Sequence, residues 1–218
     1  MMRLLPGFVL AAALTLPALA GPPHDMPVRH VDGNSVISPE NPAATIRIDP
    51  AFHPLPDLSF GIEKQTWVDR RVFVDTQDAR VRRMVVVHFE QAQDGSDFRF
   101  QYPAKPPRDF AGYTWRFGAY DYDGDQEARL NPGKEETQMR SFLRAQGLIV
   151  PHIWRTVRLA RVSDGDGKSE IVIFYMEAQA NVSLMATPAD ESEAEISSED
   201  ADDAFKRFIA NISMSHGS

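Results

Sequence analysis

His88 and Glu90 lie two residues apart in the run Val81–Gln91, VRRMVVVHFEQ. In an extended strand that spacing puts both side chains on one face. An imidazole beside a carboxylate can do general acid–base work or begin a metal site. Tyr175 and Glu177 repeat the arrangement in Glu170–Ala178, EIVIFYMEA. If the two strands are neighbours, the four side chains could line one pocket. The structural alternative is that His88 and Glu90 mark where a buried strand emerges into water.

A second candidate is DYDGDQEARL, with Asp121, Asp123, Asp125 and Glu127. Alternating carboxylates suggest a calcium loop of the EF-hand kind, which needs glycine at position 6 and a bidentate glutamate at position 12. Counted from Asp121, those positions hold Gln126 and Pro132. Only a different calcium geometry, built on the four carboxylates, stays open. Counted from Asp164, position 5 is Lys168 and position 12 is Tyr175, so SDGDGKSEI reads as a hairpin turn. No G-x-S-x-G, H-E-x-x-H or phosphate-cradling glycine loop occurs.

The elements that must position these residues are mostly strands. Arg71–Asp75, Val81–Gln91, Phe98–Tyr102, Tyr113–Phe117, Thr156–Val162 and Glu170–Ala178 read as strands from alternation or apolar runs. The second and last are apolar on both faces, which predicts central strands covered on both sides. Asn131 and Pro132 suit the cap and first position of a helix carrying Met139, Phe142 and Leu143, closed at Gly147. Ala204, Phe205, Phe208, Ile209 and Ile212 form one apolar helical face, with Ser197 or Ser198 as its cap. The expected fold is α+β: a mainly antiparallel sheet of about six strands, two main helices, and the C-terminal helix docked on the sheet. A strand-rich body closed by such a helix resembles the sandwich of PsbP- and Mog1-like domains, a likeness of fold that implies no function.

Residues 1–20, MMRLLPGFVLAAALTLPALA, read as a secretory signal: Arg3, a short apolar run, then Ala-Leu-Ala. The apolar run is short for a membrane span, which takes roughly 20 residues. Residues 21–56 are proline-rich, with one short strand-like piece at 45–49, and read as an extended arm beside one α+β domain, 57–218. With no cysteine in the 218 residues, disulfides and lipid anchoring at the cleavage point are excluded. The net charge is −8, and residues 187–203 hold eight acids and no base, leaving the remainder nearly neutral. Nucleic acid, which calls for a basic footprint, is not an expected partner.

Three functions follow as expectations. The first is an exported, soluble, non-catalytic domain binding a protein partner or a small apolar ligand, periplasmic in a bacterium and otherwise secreted. It rests on the missing catalytic motifs, the aromatic strand Tyr113–Phe117 and the proline-rich arm. The second is a hydrolase or isomerase using His88 and Glu90, with Tyr175 and Glu177. The third is calcium-dependent binding through Asp121, Asp123, Asp125 and Glu127, calcium being the one candidate cofactor.

Overall fold

The strand that carries His88 runs through the middle of a large antiparallel sheet. In the computed structural model, residues 26–62, 65–102, 107–179 and 192–216 are described. The expected signal segment lies outside them. In chain order the elements are β1 (His30–Asp32), β2 (Ser35–Ser38), β3 (Ala44–Ile48), β4 (His53–Pro54), β5 (Leu58–Ile62), β6 (Thr66–Gln77), β7 (Arg80–Ala92), β8 (Pro107–Phe110) and β9 (Tyr113–Asp123). Then come α1 (Gly124–Leu130), α2 (Glu135–Ala145), β10 (Ile153–Val162), β11 (Ser169–Ala178), β12 (Glu193–Glu195), α3 (Ser198–Asn211) and β13 (Ile212–His216).

The large sheet runs β12-β9-β10-β11-β7-β6-β4, with β5 also on β6 and β8 on β9. A second sheet runs β1-β2-β3-β13. The class is α+β and mostly antiparallel, as expected; among the described residues there are thirteen strands in two sheets, where about six were expected, and three helices. Most of the difference comes from the supposed arm. Within 21–56, residues 30–48 form three short strands whose alternation buries Val36, Ala44, Ile46 and Ile48. The strand-like piece at 45–49 is β3, whereas the shortness of β1 and β2 hides their alternation in the sequence. At the other end of the count, residues 98–102 are not a strand.

The large sheet is covered on both faces. Phe73, Val85, Val87, Phe89, Trp115, Leu159, Ile173 and Tyr175 pack beneath the small sheet and α3. Val72, Val74, Met84, Val86, Tyr122 and Trp154 face α2 through Met139 and Leu143. This two-sided burial is why β7 and β11 read as continuous apolar runs rather than alternating ones. The aromatic strand within β9 belongs to the first of these cores. Trp115 is buried, and Tyr113 and Phe117 are half-buried, packing against that core, Phe117 beside Phe205.

The helices differ from expectation at their starts. Asn131 is the C-cap of α1, and α2 begins at Glu135 after Lys134, which supplies no side-chain cap. The C-terminus of α2 is as the sequence suggests. Gly147, at φ +77°, donates to Arg144 and Leu148 to Leu143, the paired bonds of a Schellman turn. Ser197 caps α3 by accepting from the amide of Asp200 at 3.1 Å. Of the stretch 187–203, whose acidity reads as a loop before the C-terminal helix, residues 193–195 form β12 and residues 198–203 begin α3. The aspartate–glycine stretch 163–168 joins β10 to β11, with Gly167 at φ +72° and the Asp164 carboxylate accepting from the Lys168 amide.

Candidate functional site

Register decides which side chains meet. On β7, His88 lies opposite Arg70 of β6 and Val172 of β11, while Glu90 lies opposite Val68 and Glu170. The sheet thus places two carboxylates directly across from each other, an arrangement that repels when both are charged. His88, Glu90 and Glu170 bring ligand-type atoms within 4.8 Å of one another, and His88 and Glu170 are each only 5% exposed.

The hydrogen bonds assign the protons. Arg70 Nη2 stands 2.8 Å from His88 Nδ1, and a guanidinium has only donors, so Nδ1 accepts. The remaining ring nitrogen, Nε2, then carries the proton and donates to Glu90 Oε2 at 3.0 Å. Thr66 Oγ1 donates to the other oxygen of Glu90. Burial alone would raise the Glu90 pKa, but the bonds from His88, Thr66 and Glu170 outweigh it and hold the group below the usual carboxylate range. Glu170 goes the other way. Burial first, and the Glu90 charge second, push its carboxyl up to about 8. At neutral pH Glu170 keeps its proton and donates it to Glu90, leaving Glu170 Oε2 without a partner.

Two carboxyls and an imidazole are a plausible donor set for a transition metal. The bonding shown here does not suit one. Histidine must present a lone pair to a metal, whereas Nε2 presents its N–H toward the carboxylates and Arg70 holds Nδ1. The cluster is a shared-proton site, with the proton occupying the place of a cation.

Tyr175 and Glu177 do not join it. Their strand is indeed adjacent to β7, but Tyr175 pairs with Val85 and its ring lies in the core under α3. Its hydroxyl donates to Glu177 at 2.7 Å, and Arg207 of α3 binds both Glu177 oxygens at 2.9 and 3.0 Å. This pair fixes a helix to the sheet. The expected convergence of four side chains fails because His88 and Tyr175, on paired strands, project from opposite faces.

The four carboxylates of DYDGDQEARL also disperse. Asp121 is buried in a two-pronged bond with Arg155, at 2.9 and 3.0 Å. Asp123 caps α1 by accepting from the amides of Asp125 and Gln126. Asp125 pairs with Arg140 and His152, and Glu127 accepts from Ser192 at 2.6 Å. Among the described residues, His88, Glu90 and Glu170 form the one group of three or more such side chains close enough to share an ion. The four carboxylates of this stretch do not converge in the structure. Each carboxylate is committed to a different structural bond, because the stretch is a strand end passing into a helix.

A concave site does exist, on the same face as His88. Between α2 and the sheet lies a cleft with about 90 Å³ of space into which water fits. Met84, Val86, Trp154, Phe174 and Met176 line it from the sheet, and Met139 and Leu143 from the helix. Arg70, Glu135, Glu136, Arg140 and Glu193 supply charge at its margin. Arg70 pairs with Glu135 while touching His88, so the buried proton cluster adjoins the cleft through one guanidinium. Two buried hydroxyls in the lining, Tyr122 OH and Thr156 Oγ1, have no hydrogen-bond partner. Leaving such groups unpaired costs roughly 1–3 kcal/mol each. The sequence showed the helical stripe of α2 but not that the helix stands off the sheet; the buried, unpaired Thr156 is the residue that marks the space.

No protein-family model, curated protein or solved structure matches this chain.

Proposed function

We propose that this is an exported ligand-binding domain that holds a small, mainly apolar molecule between α2 and the large sheet. The reading rests on one observation: an apolar cleft whose wall carries two buried, unpaired hydroxyls. Pockets for small molecules combine apolar walls with a few placed polar groups. Export rests on residues 1–20 and fits a chain without cysteine. Among the described residues, no helix is long and apolar enough to cross a membrane. The likeness to PsbP- and Mog1-like sandwiches rests on the order of elements and adds no ligand.

The test uses N-phenyl-1-naphthylamine, a neutral dye that fluoresces in apolar surroundings. The protein should enhance its emission saturably, with one site per chain. Met176→Trp, which fills the cleft, should weaken binding at least tenfold while circular dichroism stays unchanged. Unsaturable enhancement, or binding indifferent to the added indole, would refute the reading.

A second reading, acid–base catalysis of the hydrolase or isomerase kind, is favoured by the protonated Glu170 beside Glu90. It requires Arg70 to leave His88, because the guanidinium stands between the imidazole and the cleft. Turnover lost in His88→Ala, at unchanged dye affinity, would support it over simple binding.

A further inference from the structure

We propose that the cleft selects a protonated amine with an apolar body. This rests on the binding reading above and names the chemical class of the ligand. Three independent features of the lining converge on it.

The first is aromatic. Tyr120, Tyr122, Trp154 and Phe174 all line the cleft. Ring faces carry negative electrostatic potential and attract a cation, most strongly when water is excluded.

The second is charge. Three carboxylates, Glu135, Glu136 and Glu193, line the cleft against two guanidiniums, Arg70 and Arg140. Both guanidiniums are already engaged. Arg70 pairs with Glu135, and Arg140 pairs with Asp125 and donates to the Pro151 carbonyl at 2.9 Å. Glu136 makes no ion pair among the described residues. Arg158, opposite Phe174 on the paired strand and two residues from Thr156, shares the cleft's face; its guanidinium stands 5.9 Å from the Phe174 centroid beside Glu193 and Tyr120, though it does not line the cleft itself. Tyr122 and Glu136, together with Glu193, also line an adjoining polar hollow of about 370 Å³, where Lys134 is the one cation beside Glu127. Glu136, which lines both spaces, is thus the carboxylate at the shared mouth with no ion pair among the described residues. Burial first and then Glu193 raise the Tyr120 phenol, with Arg158 opposing, and burial then Glu136 and Glu127 raise that of Tyr122, with Arg140 opposing.

The third feature is hydrogen bonding. An ammonium group has donors and no acceptor. The Tyr122 and Thr156 hydroxyl oxygens, buried and unpaired, can accept from it. A carboxylate ligand could also use those hydroxyls, but it would face the Glu136 charge. An alcohol could use them without benefit from the carboxylates.

The experiment compares four probes with one chain length: octylammonium, octyltrimethylammonium, octanol and octanoate, by calorimetry at pH 7. Octylammonium should bind at least tenfold more tightly than octanol, and octanoate more weakly than both. Glu136→Gln should bring octylammonium to within about threefold of octanol while leaving octanol unchanged. Tyr122→Phe with Thr156→Val removes the unpaired hydroxyls, so folding should be retained. It should abolish the preference for octylammonium over octyltrimethylammonium. If octanol and octylammonium bind alike, the amine inference fails and the apolar-ligand reading stands. If octanoate binds best, the amine inference fails outright. If none of the four binds, both fall.

Discussion

Glu170 is the residue whose state most depends on its surroundings. Its folded pKa, pushed up to about 8, lies well above the ordinary glutamate value near 4.3. A raised pKa means that the folded protein holds the proton more tightly than the unfolded chain. The stabilisation is complete below the unfolded value and is lost as pH rises through the folded one. Stability should therefore decline between about pH 4.5 and 8. Glu90, held low, contributes in the opposite sense, with stability lost as pH falls through its folded value. Glu170→Gln keeps a donor toward Glu90 and cannot ionise. It should flatten the decline, and its melting temperature should match or exceed wild type above pH 8. An unchanged slope in urea unfolding between pH 5 and 8 would show that Glu170 is not the source. Two of the three members of this cluster were legible in the sequence: period two on a strand puts His88 and Glu90 together. Glu170 was not, because cross-strand register depends on which strands pair and where each turn falls. The residues around Asp121 misled for a related reason. Alternating carboxylates look alike whether they gather around an ion or each serve a cap, an ion pair or a loop.

Among the elements, the N-terminal strands were the least legible, β3 alone showing in the sequence, as the piece 45–49. Sequence pattern registers a strand when one face repeats over several residues, and β1 to β3 span only three to five each. Their attachment is polar as well as apolar. Arg29, preceding β1, donates to Ser38 and to the carbonyls of Glu40 and Asn41, and its guanidinium lies 3.9 Å from Asp69 on β6. Arg71 pairs with the same Asp69 and donates to the Arg29 carbonyl at 2.9 Å. Burial lowers the Arg29 pKa to about 10, with Asp69 working against that fall. One carboxylate thus balances two buried guanidiniums. Asp69→Ala would leave both without their shared counter-charge in the interior, an error that costs about 3–5 kcal/mol. The midpoint of denaturant unfolding should fall accordingly; a loss below about 1 kcal/mol would mean that Asp57, 3.4 Å from Arg71, suffices alone. By contrast β7, β11 and α3 were clear from the sequence. Each carries its signal locally, as a long apolar run or a complete helical stripe, and needs no knowledge of its partner.

Across the whole molecule, the large sheet separates two environments. One face is a sealed aromatic core and the other is a helix-covered cleft with the proton cluster at its edge. The sealed face is closed by a contact between distant parts of the chain: β13, residues 212–216, pairs along the full length of β3, residues 44–48. Removing residues 212–216 should expose that edge and withdraw Ile212 from the core. An exposed edge invites pairing with another chain. The shortened protein should therefore self-associate in light scattering and unfold less cooperatively; a monomer with the wild-type melting curve would refute this.

The same pairing orders events during synthesis. A β3–β13 contact spans most of the chain, and such closures form late because loop entropy must be overcome first. Residues 30–48 can take their final place only after residues 212–216 have emerged. The edge of β3 that β13 covers therefore stays open while the intervening strands and helices are being made.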